Sequence, residues 1–192
     1  MPEGGPIMKD KLWFFASYRD WGVYQYIANS FFRNGDQTID DANIRSGVVR
    51  LTTRFADRFK FAGYLDRIRK FRGHENSAPA GYAITGEATD IRAPKQYYTS
   101  ELKLTGTMSN KLLLEAGFAL NNESYDLTPQ PESADIVPRR DVLRFTAFGA
   151  YDGGVYYREP VRKTVVGSAS YVTGSHAFKV GIQYGFGYFW RQ

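Results

Sequence analysis

The chain has 192 residues, 43% hydrophobic and 23% charged, with 16% aromatic residues and a formal net charge of +5. That length suits one domain or slightly more, and so aromatic-rich a composition is not that of a disordered chain. The absence of cysteine removes disulfides, Cys-ligated zinc, iron–sulfur clusters and thiol nucleophiles, and no window holds the 18 or more apolar residues of a membrane-spanning helix.

In chain order, the N-terminus lacks a basic segment followed by an apolar one, so it does not read as a secretory signal. After the polar turn Lys9-Asp10-Lys11 comes a long run, Leu12 to Tyr26. Period-2 alternation dominates from there on, and no segment has a helical period. Three pairs of runs are each joined by a tight polar turn. Ser46–Ala56 meets Phe59–Phe71 across Asp57-Arg58, and Tyr97–Met108 meets Leu112–Tyr125 across Ser109-Asn110-Lys111. Arg162–Val172 meets Ala177–Trp190 across Thr173-Gly174-Ser175-His176. The links between pairs, Ile27–Arg45, Arg72–Gln96 and Asp126–Pro160, are long, polar and rich in Gly, Pro, Asn and Asp. The C-terminus stops inside an aromatic run, and the chain is expected to be a fragment cut at both ends.

Short and long connections alternate strictly, which puts the tight turns at one end of a sheet and the long loops at the other. The faces divide as cleanly. Leu51, Phe55, Phe59, Phe61, Leu102, Leu104, Leu114 and Phe118 fall on one side, joined by Phe178, Val180, Ile182, Tyr184 and Phe186. Arg50, Arg54, Lys60, Asp66, Glu101, Lys103, Glu115, Lys179 and Gln183 fall on the other. The run Leu12–Tyr26 carries aromatics on both faces, and its outward side stays unassigned.

A soluble sandwich and a membrane barrel both alternate in this way. The runs exceed the usual five or six residues of globular strands and the roughly 9–11 needed to span a bilayer. Aromatics also gather near strand ends, as at membrane interfaces: Trp13, Phe14 and Phe15 at one end, Tyr97, Tyr98, Tyr188, Phe189 and Trp190 at the other. The expected fold is therefore all-β, an antiparallel up-and-down transmembrane barrel segment of about seven strands with short periplasmic turns and long extracellular loops. The first set of residues would then face lipid and the second the lumen.

Gly4-Gly5-Pro6-Ile7-Met8-Lys9-Asp10-Lys11-Leu12-Trp13-Phe14-Phe15-Ala16-Ser17-Tyr18-Arg19 resembles the GGPI-x-KDK-[LT]-[FW]-FF-x-x-Y segment of TonB-dependent outer-membrane receptors. The nearest branch is the Oar-like group, whose members carry a carboxypeptidase-regulatory-like domain. The motif covers about sixteen residues and is fairly specific. The hairpin Gly174-Ser175-His176-Ala177-Phe178-Lys179-Val180-Gly181 is similar to ones common among such barrels. The resemblance implies that residues 1–11 lie where plug gives way to barrel or in the first periplasmic turn, in a parent of about 22 strands. It also implies energy-coupled uptake of a bulky solute (siderophore, cobalamin, glycan or peptide) in the outer membrane, with the TonB–ExbB–ExbD complex acting through the plug. The signal peptide, plug and TonB box of that family are not in this sequence.

No arrangement asks for catalysis, a metal or a cofactor. His74 and His176 read as solvated residues at a junction and a turn, and Asp36, Asp40 and Asp41 as a solvated acidic loop without EF-hand spacing. Gly185-x-Gly187 precedes no helix, so it is no dinucleotide motif; the glycines are expected to make room at the lumen wall. The basic residues are dispersed among acids, which argues against nucleic acid. Arg67, Arg69, Lys70 and Arg72 near the loop end would meet lipopolysaccharide phosphates. Phe31, Phe32, Arg33, Tyr82, Tyr151 and Tyr156 are the loop candidates for ligand contact. Two alternatives stand beside the transporter: a passive porin or small complete barrel, and a soluble β-sandwich such as a carbohydrate-binding module.

Overall fold

Alternation in the sequence becomes two-sidedness in space. The computed structural model describes residues 2–75 and 81–192. Its strands are β1 (Pro2–Met8), β2 (Leu12–Phe31), β3 (Gln37–Phe55), β4 (Phe59–Glu75), β5 (Ala83–Ile84), β6 (Asp90–Thr107), β7 (Leu112–Pro129), β8 (Arg139–Asp141), β9 (Thr146–Phe148), β10 (Tyr156–Thr173) and β11 (His176–Arg191). Eight of them form one sheet in the order β1-β2-β3-β4-β6-β7-β10-β11. Every pairing within it is antiparallel. Strands β1 and β11 are its edges, so the described residues form an open sheet and not a closed barrel. Strands β5, β9 and β8 make a second, small sheet drawn from two of the links.

Two expectations change. Ahead of the turn at residues 9–11, Pro2–Met8 is a strand that pairs with β2 through Pro2↔Ser17 to Met8↔Leu12. The main sheet accordingly has eight strands, one more than the seven runs. The long links are also shorter than they read. Strands β2 and β3 leave only residues 32–36 between them, and β7 continues to Pro129 before β10 begins at Tyr156. The cause is chemical. Beyond the apolar stretch both faces carry polar residues, so alternation vanishes while the ladder continues, held by cross-strand ion pairs. Arg45 Nε donates to Asp20 at 3.1 Å, Arg92 Nη2 to Glu123 at 2.5 Å, and Arg72 bonds Asp40.

Register sorts the side chains into cross-strand rows. Nearest the turns come Leu112, Tyr171 and Phe178, then Phe55, Phe59, Leu114 and Val180. The next rows hold Phe61, Leu104 and Ile182, then Phe14, Leu51, Leu102, Phe118 and Tyr184. The last apolar row contains Ala16, Val49, Leu65, Leu120 and Phe186, with Ser100 and Lys163 the exceptions. The lysine spans the change of character. Its ammonium lies 6.0 Å from the centre of the Phe186 ring, as an amphipathic stem does over apolar surface. This settles β2: Phe14 shares the apolar face, while Trp13 and Phe15 lie with Thr52 and Arg50 on the other.

The turn after β3 carries backbone strain. Ala56 and Asp57 have φ of 50° and 49°, a left-handed conformation that L-residues adopt at a cost and that Asn-Gly accommodates. Ala56→Asn with Asp57→Gly is expected to stabilise the β3–β4 hairpin by about 1 kcal/mol. An upward shift of the urea midpoint checks this.

Candidate functional site

The two faces of the main sheet differ in kind. The apolar face lies bare in the chain: Leu102 is 48% exposed and Ile182 73%. On the other face are Arg50, Arg54, Lys60, Asp66, Glu101, Lys103, Glu115, Lys179 and Gln183, in register with one another as read from the sequence. There Glu115 is clamped between Lys103 Nζ at 2.9 Å and Lys179 Nζ at 3.3 Å, and Ser46 Oγ donates to Asp66 at 2.7 Å. Gly187 serves its own hairpin. A Cβ there would collide with the Val161 carbonyl, so the missing side chain admits the neighbouring strand and not a separate body at the wall.

Along the apolar face the chemistry switches abruptly toward the loop end. The row after Ala16, Val49 and Leu65 contains Tyr18, Arg67, Tyr98, Asn122 and Tyr188. The one beyond it begins with Asp20, Arg45 and Arg69. Of the four basic residues grouped by sequence, only Arg67 and Arg69 therefore share this face. Lys70 and Arg72 register with Ile44 and Ala42 on the opposite one, and Arg72 is committed to Asp40 and to Glu75 at 2.5 Å.

The links fold onto one another instead of projecting. Ile84, Ala88 and Ala147 make a small apolar core, ringed by buried polar groups with defined partners. Gln130 Nε2 donates to the Gly73 carbonyl at 2.7 Å and to Thr89 Oγ1 at 3.0 Å. Ser133 Oγ donates to the Glu87 carbonyl at 2.8 Å, and the Arg33 backbone N–H donates to Glu87 Oε1 at 2.7 Å. Three of the six loop candidates belong to this scaffold, Arg33 through that bond and Tyr151 and Tyr156 through their rings. Tyr151 is buried with its hydroxyl 3.0 Å from that of Tyr156. Burial and that bond push its pKa well above the ordinary tyrosine value, so it stays protonated. Tyr156 is flanked by the guanidinium groups of Arg158 and Arg191. Tyr82 packs edge-on against Phe145, Arg33 acts through its backbone, and Phe31 is the exposed last residue of β2. These residues are not brought together as a set.

The sixth candidate, Phe32, lines a cavity of about 850 Å³ at the loop end of β2 and β3. Beside it stand Tyr24, Tyr26 and Ile39. Polar groups come from Asn34, Asp36, Gln37, Asp41 and His74. His74, a junction residue by sequence, lies inside β4, with Nδ1 2.9 Å from Asp41 Oδ1 and its ring edge-on to Phe32 at 5.6 Å, and so is not simply solvated. His176 begins β11 beside the turn Gly174-Ser175. The acidic loop dissolves too: Asp40 pairs with Arg72, Asp41 with His74, and Asp36 accepts from Asn34 Nδ2 at 2.6 Å. Among the described residues no group of three or more His, Cys, Asp or Glu side chains is placed to hold a metal.

Comparison with known protein families, with characterised proteins and with solved structures returns no match.

Proposed function

We propose that the chain is a wall segment of an outer-membrane β-barrel, belonging to a TonB-dependent transporter. The observation that carries the membrane part is the bare apolar face bounded by an aromatic and then a charged row. A continuous apolar surface of this extent needs a cover, and no second layer packs over it among the described residues. Its height suits hydrocarbon. From Leu112 to Leu120 it runs about 27 Å along the strand, or roughly 21 Å across a bilayer at a tilt of about 40°, against an outward apolar band of about 25 Å. The row with Tyr18, Tyr98 and Tyr188 stands where amphipathic rings meet headgroups. Arg67 and Arg69 then face lipopolysaccharide phosphates, while the face carrying Glu115 with its two lysines turns to the lumen.

The TonB-coupled part rests on the resemblance carried by Gly4–Arg19, now the β1–β2 hairpin. In this reading the segment is passive. It seals the membrane on one side, faces the plug of its parent on the other, and its folded links shape the outer mouth. Uptake would be driven by the TonB–ExbB–ExbD complex.

Epitope display tests the topology. A tag inserted at Gly153-Gly154, in the long link, is expected to be labelled on intact cells, whereas one at Ser109-Asn110, in a tight turn, is labelled only after the outer membrane is opened. Labelling of neither, with the protein in the soluble fraction, overturns the membrane reading in favour of a sandwich. Planar-bilayer conductance of the full-length parent separates the remaining alternative: a plugged transporter stays closed, and a porin conducts.

A further inference from the structure

We infer that the cavity at the loop end of β2 and β3 binds a saccharide. The claim goes beyond the transporter reading: the cavity is built by its own residues, and only the outward placement of the site and the lipopolysaccharide source rest on that reading.

Three features point to this ligand. The first is the pairing of flat apolar surfaces with a mixed polar rim. Tyr24, Tyr26 and Phe32 supply rings and Ile39 an aliphatic surface. A pyranose presents apolar C–H faces to such surfaces and a belt of hydroxyls, each both donor and acceptor. The rim answers in kind. Gln37 Nε2 donates to the Ile27 carbonyl at 3.2 Å, which leaves its Oε1 as an acceptor. Asp41 uses Oδ1 toward His74, and Asn34 donates to Asp36 while accepting from its N–H at 3.0 Å. The second feature is that both carboxylates already have partners, which suits a neutral hydroxyl-rich ligand better than a cation.

The third feature is that the lining is held in place by design of the backbone around it. The Tyr24 ring lies over Gly22, the Asp41 carboxylate over Gly73 and the Phe32 ring over Gly86, each occupying the space a Cβ would take. These glycines sit on β2, on β4 and in the turn before β6, so separate parts of the chain leave room for the same site. Preorganised side chains lose less entropy on binding. The site also faces outward. Tyr24↔Asp41 and Tyr26↔Ile39 continue the unbroken register of Phe14↔Leu51, about 20 Å beyond the Tyr18 row. A saccharide there can come from lipopolysaccharide of the same membrane or from free glycan.

The full chain, refolded in lauryldimethylamine oxide (a detergent without a sugar headgroup), is titrated in two arms. One uses oligosaccharide released from lipopolysaccharide by mild acid, the other free gluco-, galacto- and manno-configured oligosaccharides. Binding in either arm is expected, weakened about tenfold or more by Tyr24→Ala with Tyr26→Ala and by Gly86→Ala. Tyr24→Phe with Tyr26→Phe should retain most of it, and Tyr171→Ala, at the turn end, should leave it unchanged. The arm that binds identifies the source. Absence of binding below about 10 mM in both arms overturns the inference. So does binding indifferent to Tyr24 and Tyr26. Spermidine is run in parallel, and variant-sensitive binding of it in place of any sugar would replace the saccharide site by a cation cage.

Discussion

Replacing Leu102 by arginine is expected to strip the protein from the outer membrane, whereas Ala119→Arg leaves it there. Leu102 occupies a central row of the apolar face, beside Gly63 and Phe118. In hydrocarbon an arginine at that depth costs about 2–4 kcal/mol, a large part of the 5–15 kcal/mol that holds a typical domain together. Ala119 is on the adjoining strand but the opposite face, in register with Glu101 and Thr164. An arginine there enters a polar wall and gains an acidic neighbour. Membrane fractionation and heat-modifiable electrophoretic mobility check both variants. The contrast discriminates because a water-covered sheet abolishes it: Leu102, half-exposed in the chain alone, would then accept arginine with little effect. Equal behaviour of the two variants would defeat the bilayer as the cover of this face.

The second large effect is expected at Arg92, where the strands outrun the apolar band. Its guanidinium lies 3.7 Å from the centre of the Tyr125 ring, bonds Glu123 at 2.5 Å and stands 3.9 Å from Glu75, with the side chain only 15% exposed. Arg92→Met keeps the stem and removes the charge, leaving two half-buried carboxylates without it. The loss should amount to about 2–3 kcal/mol, from the broken ion pair and the cation–π contact together. Hydrogen exchange is the measurement. Amides of residues 90–93 and 122–125 should exchange faster, while those around Leu102 and Phe118 stay protected. Unchanged exchange at the loop end would mean that backbone pairing alone sustains the extensions.

The sequence was most informative where one face was apolar. Phe178, Val180 and Ile182 alternate with Lys179, Gly181 and Gln183 over a strand whose register leaves no freedom, since a slip of one residue exchanges the faces. The same reading stopped too early at Phe71, beyond which Arg72, His74 and Glu75 put polar residues on both faces, and at Tyr26, beyond which Ile27-Ala28-Asn29-Ser30-Phe31 loses period-2 contrast where the register with β3 shifts. β1 was missed for a related reason: Gly4, Gly5 and Pro6 have poor strand propensity, and only pairing with Trp13–Phe15 makes them extended. The cavity was legible in one residue. Phe32 stood out as an aromatic in a link, but Tyr24 and Tyr26 looked like ordinary strand residues. His74 reaches them only through the β3–β4 pairing, and two of the three glycines that seat the lining, Gly73 and Gly86, are far from Asp41 and Phe32 in the chain.

The order of the main sheet has a consequence for assembly. Each long strand hydrogen-bonds only to long strands that neighbour it along the chain, so hairpins can be added one after another, like teeth of a zip, with little loop entropy to overcome at each step. The mini-sheet obeys a different timetable. Strand β5 comes from the link before β6 and joins β9 in the link after β7, so the rim closes over the β6–β7 hairpin once that hairpin is in place. A premature rim would be an off-pathway trap, and the architecture postpones it by geometry alone.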